Sequence, residues 1–442
     1  MGNLIVDKIR EAGVVGAGGA GLPTHVKADA TVDTVLVNGA SCEPLLMSDP
    51  HLMESEVETL IRGLEAVMEC TGAKRGVICL KGKHAKAMET VRAAAAKNAS
   101  DRLEVFELMD FYPAGDEQVL VREVLNRTVP ERGLPLQVGA VVANVETLCN
   151  VARALNGTPV THRYLTVAGE IGHSMVLRAP VGTPVEDVLA FAGGTTISEY
   201  RVVDGGPMMG KVLPDASRAV VTKTTSGLLV LPPDHNVVAR KVMNPARVRQ
   251  ITNSICCQCS RCTDLCPRNL IGHSLHPHKL MRVFASQDLE SEIAKEALLC
   301  SECGLCEKFA CPMLVSPREV NAQIKKTLMQ AGVKWESSGR PLEVSPFREE
   351  RRVPTTRLIQ RLDLVDYDTH PGYAGEIRPV RVHIPLRQHI GAPAVCVVSP
   401  GAHVKCGDLL GEIPEKAMGA RVHASIDGVV ESVADGMITI KA

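Results

Sequence analysis

Two cysteine triplets constrain the fold of this chain more than any other feature. Nine of its 15 cysteines fall between Cys256 and Cys311, although the chain has 442 residues. A secreted protein stapled by disulfides would instead spread its cysteines through a short sequence. Clustered cysteines of this kind indicate metal ligation in a reducing compartment.

The two runs have nearly the same spacing. The first reads Cys-x2-Cys-x2-Cys-x3-Cys-Pro from Cys256, and the second reads Cys-x2-Cys-x2-Cys-x4-Cys-Pro from Cys300. The first matches the bacterial ferredoxin run, in which the fourth cysteine serves the other of two [4Fe-4S] clusters. The predicted ligands are Cys256, Cys259, Cys262 and Cys311 for one cluster, and Cys266, Cys300, Cys303 and Cys306 for the other.

The second run departs from the ferredoxin pattern by one residue, so Cys311 is its least regular ligand. Cys257 does not fit the frame, and we expect no ligand role for it. Two zinc sites are the alternative, but zinc sites usually place their ligands in pairs. Residues 269–299 carry apolar side chains at helical spacing, which predicts helices packed between the clusters.

The composition argues against several classes of protein. Lys and Arg number 49 against 50 Asp and Glu, so the basic excess typical of nucleic-acid binding is absent. The sequence contains no apolar run near the roughly 18 residues that a membrane span needs. Residues 1–13 include acidic side chains and lack a long apolar core, which is untypical of a secretory signal. We therefore expect a cytoplasmic protein with no membrane span and no nucleic-acid partner.

The first third of the chain alternates between β-rich and helical segments. This alternation predicts a parallel sheet covered by helices, in a Rossmann-like arrangement. The predicted strands are 32–37, 76–80, 103–108 and 139–144, and the predicted helices are 54–69, 85–97, 117–125 and 145–155.

A glycine-rich loop precedes the first predicted strand. It reads Gly-Ala-Gly-Gly-Ala-Gly from Gly16 to Gly21 and leads to Lys27. Glycines let the backbone approach an anionic group closely, and a following helix start can hold a phosphate. A loop of this kind is a weak signal by itself. It also precedes a strand instead of following one, unlike the ordinary dinucleotide fingerprint.

Three further motifs follow the loop in a fixed order, at residues 38–44 (Asn-Gly-Ala-Ser-Cys-Glu-Pro), 112–117 (Tyr-Pro-Ala-Gly-Asp-Glu) and 144–148 (Asn-Val-Glu-Thr-Leu). Together they resemble the flavin-binding, NADH-oxidising subunit of respiratory complex I and, more closely, the C subunit of the Rnf electron-transport complex. The resemblance implies that the loop, its lysine and residues 144–148 hold FMN, with residues 115–117 beside an NADH site. The implied cofactor-binding residues are Gly16, Gly18, Gly19, Gly21, Lys27, Asn38, Glu43, Gly115, Asp116, Glu117, Asn144 and Thr147.

The chain departs from this family at the loop. Leu22 stands where the family has an aromatic residue, and Ala17 stands where it often has a basic one. The acidic pair before Glu-Pro is reduced to Ser41 and Cys42. Because a stacking ring is missing, we expect backbone, lysine and apolar contacts to hold the cofactors.

The same resemblance extends over nearly the whole chain. Residues 163–194 resemble a soluble ligand-binding β-grasp (SLBB) domain, and residues 378–442 resemble a barrel-sandwich hybrid of the lipoyl-carrier type. The resulting fold class is multidomain α/β plus β, with a helical di-cluster ferredoxin domain between the two. The predicted boundaries are 1–158 (FMN and NADH), 159–235 (β-grasp), 236–330 (clusters), 331–374 (linker or peripheral wrap) and 375–442 (barrel-sandwich).

The order of these domains refines the resemblance. In Rnf C subunits the barrel-sandwich segment precedes the flavin domain, whereas here it follows the clusters. That order resembles the cobalamin reductases of the propanediol-utilisation microcompartment. The resemblance implies electron transfer from NADH through FMN and two [4Fe-4S] clusters to cobalamin, with no side-chain acid or base as a catalytic residue. It also implies a cobalamin-handling partner such as an adenosyltransferase, a microcompartment location, and shell proteins as possible contacts.

Two other functions stay open at this point. The chain could be an Rnf-type peripheral subunit that feeds a membrane complex. It could also be a non-enzymatic, cluster-bearing relay or scaffold whose flavin site has decayed, as the changes at Ala17 and Leu22 suggest.

Overall fold

The computed structural model describes residues 2–98, 101–337 and 339–442. Its first part is built on a four-stranded parallel sheet in the order β3-β2-β1-β5. The strands are β1 (Thr34–Gly39), β2 (Arg75–Lys81), β3 (Leu103–Leu108) and β5 (Ala140–Asn144), while β4 (Phe111–Tyr112) lies outside the sheet. The helices are α1 (Gly2–Glu11), α2 (Thr24–Ala28), α3 (Ser48–Ser55), α4 (Val57–Thr71), α5 (Ala85–Lys97), α6 (Glu117–Leu125) and α7 (Val145–Leu155).

Strands β1, β2 and β5 of this sheet are buried on both faces, as their Val- and Leu-rich sequences require, whereas the edge strand β3 is partly exposed. Val35 and Val37 face one apolar cluster, and Leu36 faces another. The predicted strands and helices of this part are confirmed to within a few residues. The helix predicted at 54–69 corresponds to α4, whereas the preceding α3, which ends at Ser55, was not predicted.

The second part is a six-stranded sheet in the order β12-β7-β6-β10-β8-β9. Its strands are β6 (His162–Gly169), β7 (Met175–Pro180), β8 (Arg201–Asp204), β9 (Lys211–Val212), β10 (Gly227–Leu231) and β12 (Tyr373–Glu376), and α8 spans Val185–Phe191. Strand β12 spans the predicted boundary between the linker and the barrel-sandwich domain, and it pairs in parallel with β7. The end of the predicted linker therefore contributes to this sheet.

The cysteine-rich part consists of short helices. These are α9 (Asn236–Lys241), α10 (Pro245–Ile255), α11 (Arg261–Asp264), α12 (Pro267–Leu270), α13 (Pro277–Ser286), α14 (Glu292–Lys295) and α15 (Pro317–Gln330). The following segment returns to the first part, where β11 (Val353–Pro354) pairs with β4 and leads into α16 (Thr355–Arg361). Within the described ranges, none of the helices is long and apolar enough to cross a membrane.

The last part holds two small antiparallel sheets, in the orders β13-β19-β18-β15 and β14-β16-β17. Apolar side chains from both, including Ile384, Leu410 and Ile440, form one buried core, as expected for sheets packed face to face. The strands are β13 (Arg381–Pro385), β14 (Val395–Cys396), β15 (His403–Val404), β16 (Leu409–Glu412), β17 (Val422–His423), β18 (Gly428–Ala434) and β19 (Met437–Lys441).

Candidate functional site

The glycine-rich loop and the parallel sheet enclose a cavity of about 270 Å³, which we call the glycine-loop cavity. It lies where β1 and β5 end and where α6 and α7 begin. Ligands of open parallel sheets bind at this carboxyl edge. The amino ends of the two helices also favour an anionic group there. The backbone N–H of Gly16 donates to the carbonyl of Leu22 at 2.9 Å and closes the loop.

Ten of the twelve predicted cofactor-binding residues line this cavity, and Glu43 and Asp116 do not. The ten are Gly16, Gly18, Gly19, Gly21, Lys27, Asn38, Gly115, Glu117, Asn144 and Thr147. Leu136, Val142 and Ala143 are among the residues that add apolar walls.

The lysine of the cavity already has two partners. The Lys27 ammonium lies 2.5 Å from the Glu117 carboxylate and donates to the carbonyl of Val142 at 3.1 Å. About two fifths of the Glu117 side chain is exposed, so it lies at the cavity mouth. A cation, a glycine backbone and apolar walls form a donor set that fits a phosphate attached to a planar ring.

Residues outside the predicted set hold the loop in place. The backbone N–H of Ala17 donates to the Thr147 hydroxyl at 2.9 Å, and its carbonyl accepts from the Arg163 guanidinium at 2.7 Å. Arg163 comes from β6 and forms a buried ion pair with Glu146. Ala17 is therefore held on both sides by fixed partners, although its own side chain carries no charge.

Asn144 has a capping role at the cavity. Its side-chain oxygen accepts from the backbone N–H of Glu146 at 2.9 Å, which caps α7, and its amide donates to Asp49 at 2.9 Å. Burial raises the pKa of the Asp49 carboxyl to about 6. A β-carbon on Gly18 would lie 3.1 Å from the Asn144 amide, so a larger residue would crowd this contact.

Arg163 and Asp49 were not identified from the sequence. Arg163 lies in a different sheet from the cavity, and Asp49 lies between motifs. Nothing in the neighbouring sequence marks either residue as functional. Their role becomes visible only in the fold, where both charged side chains are largely buried.

The barrel-sandwich part closes over the loop. The backbone N–H of Ile390 donates to the carbonyl of Ala20 at 3.0 Å. Gly21 has a φ of +75°, and a β-carbon there would lie 2.8 Å from both His389 and Thr224. Gly21 is thus required by its backbone conformation and by the close approach of two other parts of the chain.

The eight predicted cluster ligands line two separate cavities. One, which we call the outer cysteine cavity, is lined by Cys256, Cys259, Cys262 and Cys311. The other, the inner cysteine cavity, is lined by Cys266, Cys300, Cys303 and Cys306. Each cavity therefore takes one cysteine from the other run, in the grouping that the spacing predicts. Cys257 lies exposed at the rim of the outer cavity.

The two cysteine loops have matching backbone conformations. Gln258 and Glu302 occupy equivalent positions with φ of +55° and +60°, and Ser260 and Gly304 follow with +61° and +80°. Such left-handed residues are uncommon outside glycine and turn the chain sharply. The loops can therefore aim three sulfurs to one side, as cluster ligation requires.

The extra residue of the second run is absorbed in a π-helical turn at Cys306–Ala310. The first run instead passes through the short α-helix α11. An α-turn spans four residues and a π-turn spans five, which matches the separations from Cys262 to Cys266 and from Cys306 to Cys311. The one-residue insertion thus leaves Cys311 in the outer cavity.

Donors also reach the sulfurs. The Cys300 sulfur accepts from the backbone N–H of Glu302 at 3.3 Å and faces the Asn321 amide at 3.6 Å. The Cys256 sulfur accepts from the Gln258 amide at 3.2 Å. Hydrogen bonds to sulfur are one means by which proteins tune iron–sulfur clusters, so the donor set fits two clusters.

Glu43 and Asp116 connect the parts of the chain. Glu43 accepts from the backbone N–H groups of Met208 and Met209 at 2.9 and 2.8 Å. Asp116 caps α6 and pairs with Arg268 at 2.9 Å. Both carboxylates therefore have protein partners away from the glycine-loop cavity.

Models of four known families match successive parts of the chain. They are the Nuo51 FMN-binding domain at residues 9–153, the SLBB domain at 164–212, the 4Fe-4S dicluster domain at 255–316 and the RnfC barrel sandwich hybrid domain at 376–441. These matches confirm the four predicted domain types and the predicted FMN and iron–sulfur cofactors. They favour clusters over the zinc alternative.

Known proteins match over different lengths. Cobalamin reductase PduS of Citrobacter freundii is 42% identical over 99% of this chain and 96% of its own length. The C subunit of the Na(+)-translocating ferredoxin:NAD(+) oxidoreductase complex of Acetobacterium woodii is 36% identical over 59% of this chain and 57% of its own. An NAD+-reducing [NiFe]-hydrogenase in the H2-reduced state superposes with a TM-score of 0.51 at 20% identity, over 76% of this chain and 64% of that chain. That last likeness is one of fold.

Proposed function

This chain belongs to the cobalamin reductase PduS family, and on that premise we propose that it is an oxidoreductase that transfers electrons from NADH to cobalamin. FMN and two [4Fe-4S] clusters are its cofactors. NADH as donor and cob(III)alamin or cob(II)alamin as acceptor are the specific parts of the proposal.

The glycine-loop cavity would hold FMN. Lys27 and the loop backbone would bind its phosphate, and Asn144 and Thr147 would fix the loop against α7. When bound, FMN supplies the exchange between a two-electron donor and one-electron carriers. No acidic or basic side chain needs to act in catalysis, because the protein's task is to bind, orient and exclude water.

NADH would approach at the mouth of the same cavity. Gly115 and Glu117 line it there, and Glu117 is partly exposed. Asp116 is held by Arg268 and by its capping role, so we propose that it positions Glu117 without contacting NADH itself. Leu22 offers an apolar contact where the family places a ring.

The two cysteine cavities would hold the clusters. Cys256, Cys259, Cys262 and Cys311 would ligate one, and Cys266, Cys300, Cys303 and Cys306 the other. One contact best supports electron transfer between the glycine-loop cavity and the inner cysteine cavity. The buried phenol of Tyr112, from the motif that lines the glycine-loop cavity, donates to the carbonyl of Cys303 at 2.6 Å.

The overall reaction balances with one-electron acceptors. Oxidation of one NADH to NAD+ and a proton releases two electrons, which reduce two cob(III)alamin molecules to cob(II)alamin. The test is anaerobic reconstitution followed by NADH-dependent reduction of aquocobalamin, read from the corrin absorbance. We expect Cys303→Ala to abolish this activity and Cys406→Ser, an exposed cysteine of the barrel-sandwich part, to retain it. Full cofactor loading without corrin reduction would refute the proposed reaction, and bleaching of the flavin and cluster bands by NADH in the same sample would assign the failure to the acceptor.

The Rnf-type alternative is supported by the relative from Acetobacterium woodii and by the RnfC barrel sandwich hybrid match. The same assay separates the two, with ferredoxin offered in place of cobalamin. Electron exchange with ferredoxin and none with cobalamin would favour an Rnf-type role. Purification without flavin, with both clusters intact, would favour the non-enzymatic relay.

A microcompartment location, shell contacts and an adenosyltransferase-like partner remain predictions. The helix α1 could be considered as a shell-targeting segment. However, Ile5 and Ile9 are buried in the core of the FMN-binding domain, while Leu4 is exposed. Targeting through the apolar face of α1 would require this packing to open, so we propose that α1 is structural.

A further inference from the structure

The inner cysteine cavity is tied to the glycine-loop cavity by a tyrosine. Tyr112 is 2% exposed, and its phenol donates to the Cys303 carbonyl. Three residues further along, Gly115 lines the glycine-loop cavity. Cys303 and Tyr112 also share one apolar cluster with Leu45. Buried contacts of Tyr112 therefore connect the two cavities.

A second connection runs through an ion pair. Arg268 lines the inner cavity two residues after Cys266, and its guanidinium pairs with Asp116 and with the Gln118 side chain. Asp116 directly precedes Glu117 of the glycine-loop cavity. Both carboxylate and guanidinium are nearly buried, at 12% and 11% side-chain exposure. This contact is consequently shielded from solvent and fixes the start of α6 against the inner cavity.

The outer cavity opens to solvent instead. Cys257 and Cys259 are exposed, whereas all four cysteines of the inner cavity are buried. Met313, which lines the same cavity, is 39% exposed, and the neighbouring Leu314 is 52% exposed. The outer cavity is thus the one that a large acceptor can approach.

From these contacts we infer that the two clusters act in a fixed order. Cys266, Cys300, Cys303 and Cys306 would hold the cluster that accepts single electrons from the glycine-loop cavity, and Cys256, Cys259, Cys262 and Cys311 would hold the one that passes them to the acceptor at the exposed rim. Tyr112 and Arg268 are positioning residues for the first transfer. The inference rests on the proposed flavin and cluster sites, and it adds the direction of transfer and the exit surface.

Each transfer moves one electron, so the balance is that of the whole reaction. Two electrons from NADH pass singly through the two clusters, and two one-electron acceptor molecules are reduced. No ligand or proton needs to be exchanged at either cysteine cavity.

The order can be tested with one variant of each cluster. Cys300→Ala removes an inner ligand, and Cys259→Ala removes an outer one. Each reconstituted protein is reduced anaerobically in three ways: by NADH, by light and EDTA, which puts electrons directly on the bound flavin, and by dithionite. Electron paramagnetic resonance then reports which cluster has been reduced, and iron analysis reports which has been assembled.

We expect Cys300→Ala to retain an outer cluster that dithionite reduces and that light fails to reduce. We expect Cys259→Ala to retain an inner cluster that light reduces as in the unaltered protein, with loss of corrin reduction. Light-driven reduction of the outer cluster in Cys300→Ala at the unaltered rate would overturn the order. Failure of NADH alone, with light effective, would refute the proposed donor and leave the order tested.

A cysteine variant could lose both clusters and leave nothing to measure. A variant that keeps all eight cysteine ligands is therefore tested as well. Tyr112→Phe removes only the hydroxyl group that reaches Cys303. We expect it to alter the resonance spectrum of the inner cluster and to slow its light-driven reduction, with the outer spectrum unchanged. The matched control is Tyr200→Phe, on the partly exposed β-grasp surface. Equal spectra and rates in both variants would contradict the role of Tyr112.

Discussion

The buried ion pair between Arg163 and Glu146 should determine how well the glycine-rich loop is held. Its side chains are 4% and 2% exposed. Arg163 also donates to the carbonyls of Ala17 and Thr225, both at 2.7 Å. Replacing it by methionine would leave Glu146 buried without its partner. Breaking a buried pair in this way costs about 3–5 kcal/mol of stability.

The same change should weaken cofactor binding. The Ala17 carbonyl would lose a hydrogen bond from a charged donor, worth about 1.5–3 kcal/mol. If that contact orders the loop for its ligand, the FMN dissociation constant should rise by about 10- to 100-fold, because 1.4 kcal/mol is a factor of ten.

Two measurements test this prediction: thermal unfolding followed by circular dichroism, and FMN titration followed by flavin fluorescence. Arg178→Met is the matched control, because Arg178 pairs with Glu376 on the surface, where both side chains are about one third exposed. Surface pairs contribute about 0–1 kcal/mol. If Arg163→Met matched Arg178→Met in both unfolding temperature and FMN affinity, the reasoning would be wrong.

Three more changes have defined outcomes. Lys27→Met should raise the FMN dissociation constant at least about tenfold, measured by flavin fluorescence, because a charged donor to phosphate contributes about 1.5–3 kcal/mol. Gly21→Ala should lower the unfolding temperature more than Gly157→Ala, because both have φ near +75° but only Gly21 lacks room for a β-carbon. Burial lowers the pKa of Lys223 to about 7, so the folded state resists its protonation. Thermal stability should therefore gain from this group as the pH rises from about 7 to 9, and Lys223→Met should remove that gain.

The controls for these changes are specific. Lys86→Met removes an exposed lysine that pairs with Glu54 and should leave FMN affinity unchanged; an equal loss in both variants would show that Lys27 acts only through overall charge. If alanine at Gly21 and at Gly157 lowered the unfolding temperature equally, the close packing of the barrel-sandwich part against Gly21 would be contradicted. If the thermal stability of Lys223→Met depended on pH as in the unaltered protein, that dependence would come from other titrating groups.

The sequence predicted most of the architecture because its signals are local. Strand β2 and helix α5 follow from short runs of residues, as does the crossed cysteine grouping, which depends only on spacing. Helix α3 was not predicted, and the predicted helix at 54–69 runs across the break at Glu56, because residues 54–56 (Glu-Ser-Glu) contain no glycine or proline to mark it. Likewise, β12 lies in a charged, proline-rich segment and becomes a strand only by pairing with β7.

The site was predicted less completely, for a physical reason. Residues that face a cavity occur in motifs, whereas those that hold the motifs come from anywhere in the fold. Arg163 supports Ala17 across 146 residues of sequence. Glu43, in contrast, belongs to a motif, yet it reaches Met208 in the β-grasp part. The sequence also revealed the extra residue before Cys311, but not that a π-turn would absorb it.

The position of the barrel-sandwich part bears on how such proteins can change their domain order. Although it is last in the sequence, it packs on the beginning of the chain: the Lys223 side-chain nitrogen donates to the carbonyls of Gly13 and Arg421 at 2.7 Å each. Ile390 likewise contacts Ala20. A short connection could therefore attach this part in front of the FMN-binding domain as readily as behind the clusters. Relatives with either domain order could then share the same arrangement of domains in three dimensions and differ only in the peptide that connects them.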